Sequence, residues 1–302
     1  MSEQNNRNYL IAVTLMLLSG TGFATMNLFI RLAGDLPSMQ KTFFRNAVVF
    51  VVALFVVLRE NRGRKKWIRT KSEGFWLLVR SLFGLIGVLA NFYAVDRIPI
   101  ANASVLNKLS PFFTIIFAAL FLREKVNKIQ IASILIAFAG VLILSRPDVS
   151  AMAQLFPTLI GVLGGLAAGA AYTTIRHMAK QGTDGSLIVL FFSAFSCVAL
   201  LPNLLFNYHP MTPWQWLCMF LLGIGAMVGQ YGITFAYKYA PPAKISIFDY
   251  FNVIITTLLG IFVLNQYPTK NTIIGAAVVF SAFLLMYLYN QREYVKSKKN
   301  AG

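Results

Sequence analysis

Ten apolar stretches follow one another along the chain, each close to the ~20 residues that cross a hydrocarbon core as a helix. They occupy residues 9–31, 40–58, 74–95, 101–122, 128–145, 155–178, 187–206, 213–237, 244–265 and 271–290. Composition agrees: 57% of the 302 residues are hydrophobic and 12% are charged, against roughly 25% charged in a soluble domain. The pattern predicts an all-α integral membrane protein. Met1 to Asn8 is short and polar and is followed by a full-length span with no small-residue cleavage site, so the first span is expected to persist as a helix. Cys197 and Cys218 both lie inside apolar runs, which implies no disulfide framework.

The net charge of +17 does not imply nucleic acid, because the positions of the charges explain it. Nineteen of the 27 lysines and arginines fall at the amino terminus, in alternate connections or in the tail after Asn290; seven lie between Arg59 and Glu73 alone. Arg31, Lys41, Arg97, Arg146 and Lys270 fall on the other side, and Arg45, Arg80 and Lys108 remain within the spans. Such a bias predicts a multi-pass protein of the cell membrane with both termini in the cytoplasm and an even number of spans.

One stretch recurs. Shifting the sequence by 142 residues puts Pro99 on Pro241, Ala101 on Ala243, Tyr93 on Phe235 and Asn107 on Asp249. Each half then holds five spans, and an odd number means that the second half enters the membrane inverted. The expected architecture is ten transmembrane helices in two inverted-topology five-helix repeats, residues 1–146 and 147–302, the second ending in a short basic cytoplasmic tail. Inverted repeats mark secondary transporters, whose substrate site lies near the midplane where the halves meet.

These residues resemble the EamA-type members of the drug/metabolite transporter superfamily. The resemblance rests on Phe92-Tyr93-Ala94-Val95-Asp96-Arg97-Ile98-Pro99-Ile100-Ala101-Asn102-Ala103 with Phe121-Leu122-Arg123-Glu124, on Phe235-Ala236-Tyr237-Lys238-Tyr239-Ala240-Pro241-Pro242-Ala243, and on Arg45 near the start of span two. It covers nearly the whole chain. Gln266 stands where the first half has Glu124, and Lys108 and Asp249 are not general family residues. The resemblance implies alternating-access transport of a small metabolite, often outward and often proton-coupled. It also implies a central cavity lined by spans one, three, four, six, eight and nine.

Lys108 and Pro111 sit inside span four, where lipid tolerates neither without a reason. Lys108 is expected ~12 Å from the outer edge and Asp249 ~9 Å from the opposite face at 1.5 Å per residue. That leaves their levels about 9 Å apart in a ~30 Å core. As a functional pair, Lys108 would anchor a substrate carboxylate or phosphate, and Asp249 would couple protons or read an amine. As structural groups, they would form an ion pair, or Lys108 would snorkel to the interface.

Other polar residues fall in stripes at helical spacing: Asp249, Asn252 and Thr256; Gln230, Thr234 and Tyr237; Arg80, Gly84, Gly87 and Asn91; and Ser104, Lys108 and Pro111 with Asn107 adjacent. Asn27 and Tyr172 occupy corresponding levels of the two halves. The substrate-binding candidates are therefore Lys108, Asn107, Asn27, Asn91, Tyr172, Gln230 and Asn252, with Asp249 for protons or an amine. Interhelical hydrogen bonding is the plainer use of the same stripes. Arg45 and Arg80 read as structural or interfacial, near span ends. The glycine series Gly161, Gly165, Gly169 and Gly225, Gly229 reads as close helix packing, and Gly275-Ala276-Ala277 as a scaffold or dimer helix.

No enzyme is expected. His177 and His209 fall at separate ends of the chain's spans, no metal cluster or phosphate loop precedes a suitable helix, and no cofactor is implied. The reading is a secondary transporter of an amino acid or other carboxylate-bearing metabolite, with the lipid bilayer and protons as partners, acting as monomer or homodimer. An exporter of cationic drugs is the second reading, and a membrane sensor or assembly subunit a third.

Overall fold

A computed structural model describes residues 3–60, 68–122, 127–144, 152–239 and 246–299. Among the described residues there is no strand. The helices are α1 (Glu3–Leu32), α2 (Ser38–Glu60), α3 (Lys71–Arg97), α4 (Ile100–Asn107), α5 (Ser110–Leu122), α6 (Lys128–Leu144), α7 (Met152–Lys180), α8 (Gly185–Phe206), α9 (Pro213–Tyr239), a 3-10 helix (Ser246–Tyr250), α10 (Phe251–Leu264) and α11 (Lys270–Lys299). Eight stretches, one of them running through both α4 and α5, are long and apolar enough to cross a membrane. The shorter apolar helices Lys128–Ile143 and Phe248–Leu264 coincide with the fifth and ninth predicted segments. Val51, Phe55, Leu142 and Phe262 are each more than 60% exposed, an apolar exterior that suits lipid and would not suit water. The protein is a multi-pass membrane protein.

Local chemistry sets the helix ends. Thr70 Oγ1 accepts from the Glu73 amide at 3.1 Å, satisfying one orphan donor of the first turn of α3, and Glu73 Oε2 accepts from the amide of Arg69, just before the cap, at 2.7 Å. Asn127 with Gln130, and Thr212 with Gln215, make reciprocal capping boxes before α6 and α9. Pro99 follows the end of α3, as a residue that cannot continue the ladder. Helix α10 ends at Asn265, in the left-handed region at φ 53°. Its neighbour Gln266 then turns back: Gln266 Oε1 accepts from the Ile100 amide at the start of α4, 3.1 Å away.

The fourth predicted span is broken. α4 stops at Asn107, Lys108 and Leu109 turn, and α5 begins at Ser110. Pro111 lies in the first turn of α5, where it has no amide to offer the Asn107 carbonyl, so the continuous ladder fails at that point. The ninth span is also irregular, a 3-10 turn running into α10. Glu124, Pro241 and Ala243, which carry part of the expected repeat, lie outside the described residues.

Packing joins elements far apart in sequence: α1 lies against α9, α3 against α7, α2 against α8 and α6 against α11, while α4 meets α10. Small residues allow the closest approaches. A Cβ on Gly22 would meet the Gly229 amide nitrogen at 2.6 Å and the Gly225 carbonyl at 2.7 Å. One on Gly165 would meet the Leu106 carbonyl at 2.8 Å, so the span-six glycines pack on the broken span, as expected. Gly140 faces the Gly275 carbonyl of α11, which gives that helix an intramolecular packing partner.

Candidate functional site

The break in the fourth span and the 3-10 start of the ninth line one cavity of about 90 Å³. That is below the ~300 Å³ at which pockets for small organic molecules begin. Its wall is drawn from α1 (Phe23, Met26, Asn27), α3 (Gly84, Gly87, Val88, Asn91, Phe92), the break (Asn107, Lys108), α7 (Ala168, Ala171, Tyr172), α9 (Gln230), the 3-10 helix (Asp249) and α10 (Asn252). Arg45 of α2, Arg80 of α3 and Phe192 of α8 complete it. All eight candidate residues from the sequence therefore reach one cavity.

At its centre Lys108 Nζ lies 2.7 Å from Asp249 Oδ2. The expected gap between their levels is closed, because neither residue sits in a continuous α-helix. A 3-10 turn rises about 2.0 Å per residue rather than 1.5 Å, and a lysine stem is long. Asp249 Oδ1 is buried and, among the described residues, has no hydrogen-bond partner. Tyr250 Oη donates to the Lys108 carbonyl at 3.4 Å. Normal helix geometry would give that carbonyl to the Phe112 amide, which here bonds Leu109 instead. Tyr250 thus supplies a donor to a carbonyl that the break exposes.

The amides split between two uses. Asn252 Oδ1 accepts from Ser104 Oγ at 2.7 Å, and its Nδ2 donates to the Gly20 carbonyl at 3.0 Å, tying α4, α10 and α1 together. Asn91 Nδ2 and Asn27 Oδ1 are 3.5 Å apart, the longest separation that still counts as a hydrogen bond. Ser104 and Thr256 are buried but do not line the cavity, and Thr234 Oγ1 returns to the Gln230 carbonyl at 2.7 Å. The Tyr237 side chain lies outside the described residues.

Of the two sequence readings of Arg45 and Arg80, structural or interfacial, burial contradicts the interfacial one. Neither is interfacial: they are 2% and 3% exposed and reach the cavity. Residue counting fixes the depth of a Cα only, and both side chains extend inward to the ring of Phe192, with Cζ 5.5 Å and 4.1 Å from its centroid. Spans two and seven thereby join the wall beyond the six that the resemblance implied. A sequence signal existed, two arginines inside apolar runs.

A second ionic group closes the far end of α1. Lys41 Nζ is 2.6 Å from Asp96 Oδ1 and donates to the carbonyls of Ile30 and Gly34. Asp96 Oδ2 accepts from Ser38, and Arg31 donates to the carbonyls of Asp96 and Ile98. Sequence reasoning took Lys41 and Arg31 as charges of a connection and found no site there. Among the described residues no group of three or more metal-ligating side chains occurs.

A model of the EamA-like transporter family matches the chain twice, over residues 10–146 and 155–288. The pseudopaline exporter of Pseudomonas aeruginosa is 26% identical over 278 residues, covering 91% of this chain and 95% of that protein. A riboflavin transporter of Brucella anthropi is 26% identical, covering 91% and 97%. An uncharacterized transporter of Helicobacter pylori is also 26% identical, covering 92% and 95%. A protein crystal structure superposes with a TM-score of 0.67 over 95% of this chain and 99% of that one, at 19% identity, a likeness of fold.

Proposed function

The chain belongs to the EamA-like transporter family, and from that premise we propose that it carries a small carboxylate-bearing metabolite, such as an amino acid, across the cell membrane by alternating access. The observation that carries this reading is the Lys108–Asp249 pair at 2.7 Å, buried in a cavity between two irregular spans. Discontinuous helices around a midplane site are how secondary transporters present charges and backbone groups to a substrate. Lys108 takes the substrate carboxylate. Asp249, relieved of its partner, takes a proton or the substrate amine. Asn27, Asn91, Asn107, Tyr172, Gln230 and Asn252 orient the rest of the molecule. Names borne by the relatives, a pseudopaline exporter and a riboflavin transporter, support a metabolite-sized cargo.

In this reading residues 1–146 and 147–302 are two inverted halves of five spans, both termini are cytoplasmic, and the cavity opens to one side at a time. The unit is a monomer or a homodimer, without a nucleic-acid partner. The free Oδ1 of Asp249 and the rings of Phe23, Phe92, Tyr172 and Phe192 favour a second reading, export of organic cations. Thermal unfolding of the purified protein against carboxylates, amino acids, nucleosides and organic cations separates them. A ligand at a hundred times its dissociation constant raises stability by ~2.7 kcal/mol. Stabilisation by carboxylates, lost in Lys108→Gln, is expected; stabilisation by cations alone gives the case to the second reading.

A further inference from the structure

Three cationic side chains and one carboxylate line the cavity: Arg45, Arg80, Lys108 and Asp249. Lys108 and Asp249 neutralise each other at 2.7 Å. Among the described residues neither guanidinium has a carboxylate within ion-pair distance. Among these residues Arg45 also donates from Nη1 to the neutral amide oxygen of Asn46, 2.7 Å away, while its Nε is buried without a hydrogen-bond partner. Arg80 Nε and Nη1 are likewise buried and without one. Both residues are more than nine-tenths buried.

The setting around Arg80 is specific. A Cβ on Gly84 would fall 2.1 Å from Arg80 Nη1 and 2.9 Å from the Phe192 ring, so the absence of a side chain at that position makes room for the guanidinium. Phe192 holds both arginines by its face, with Cζ 4.1 Å (Arg80) and 5.5 Å (Arg45) from the centroid. A cation–π contact offsets part of the cost of burying a charge but satisfies none of the N–H donors. Leucine or methionine would fill such a site with no charge to bury. A guanidinium fork is the geometry that binds a carboxylate or phosphate through paired hydrogen bonds.

We propose that Arg45 and Arg80 form an anion seat separate from Lys108, so that the transported molecule is an organic dianion with one carboxylate or phosphate on the arginine pair. This rests on the transport reading above and narrows its substrate. A substrate with a single anionic group, held by Lys108, leaves two unopposed positive charges at Arg45 and Arg80, whereas a second anionic group meets them.

The test is binding to the purified full-length protein, measured by titration, with a panel of dicarboxylates and phosphate-bearing carboxylates, each paired with the methyl ester that blocks one of its two anionic groups. At least one dianion is expected to bind at least about tenfold (~1.4 kcal/mol) more tightly than its ester. Which chemical class does so tells carboxylate from phosphate. Arg80→Gln is expected to abolish that difference and Gly84→Ala to reduce it. Arg80→Lys, which keeps the charge and loses the fork, should fall between wild type and Arg80→Gln. The wild-type pairing stands on its own if the variants fail to fold. Monoanions binding as tightly as dianions overturn the inference and leave carboxylate transport intact. Binding of no anion of either class overturns both, and a dianion preference unchanged in a folded Arg80→Gln protein overturns the seat.

Discussion

Lys41 and Asp96 form a buried ion pair 2.6 Å long at the end of the molecule where α1 and α3 stop and α2 begins. All three donors of the ammonium are used, since the carbonyls of Ile30 and Gly34 take the other two. The pair lies away from the cavity and fixes three helix ends to one another. Removing one partner strands the other charge. Lys41→Met is expected to lower stability by about 3–5 kcal/mol, and the combined Lys41→Met, Asp96→Leu change to cost less than Lys41→Met alone. Denaturation in detergent checks both; a loss below about 1 kcal/mol for Lys41→Met, the range of an exposed pair, would show that the pair contributes little.

Within the cavity, Lys108→Gln should weaken a carboxylate ligand by at least about tenfold, which is ~1.4 kcal/mol. Equilibrium binding to the purified variant is the measurement, and an unchanged dissociation constant removes Lys108 from the site.

Asp249→Asn separates chemistry from architecture, because the amide keeps shape but cannot take up a proton. Proteoliposomes carrying the variant are expected to exchange substrate while losing accumulation driven by a pH gradient. Accumulation that persists would sink the coupling role of Asp249.

Two glycines should respond in opposite directions. Gly22→Ala puts a methyl 2.6 Å from backbone of α9 and must push two helices apart, with an expected cost of about 1–3 kcal/mol. Gly74→Ala, in the first turns of α3, finds its nearest atom at 3.6 Å, a flexible Ile68 methyl, and should stabilise by up to about 1 kcal/mol through helix propensity. Paired melting curves decide, and equal shifts would contradict the backbone contact.

The charge bias predicts an orientation. A tag inserted between Arg59 and Glu73 should be unreachable from outside intact cells, and labelling there would reverse the topology.

Much of this was legible in the chain because lipid imposes length and polarity on each span. The same rule made Lys108, Asp249 and the amide stripes visible, since each is a polar group in an apolar run. Arg45 and Arg80 carried that signal too, but their depth was judged from backbone position, and a guanidinium acts several bonds away. Pro111 marks the place where span four breaks; the hydroxyl that covers the exposed Lys108 carbonyl comes from Tyr250, a neighbour 142 residues distant that no local pattern points to. The Lys41–Asp96 pair is not legible in the sequence, because a lysine in a short connection reads as a topology signal until the three helix ends are brought together.

The pairing of α1 with α9 also bears on how the protein is made. Ser19 donates to the carbonyl of Gly229 at 2.7 Å, across 210 residues of chain. At ~5–20 residues per second of synthesis, the first helix waits on the order of 10–40 s for its partner to leave the ribosome. Its small-residue face, with Ser19, Gly22 and Asn27, spends that interval against lipid or against the insertion machinery. Contacts of such long range are slow to form, so biogenesis of this protein ends with a late assembly step in which early helices are claimed by late ones.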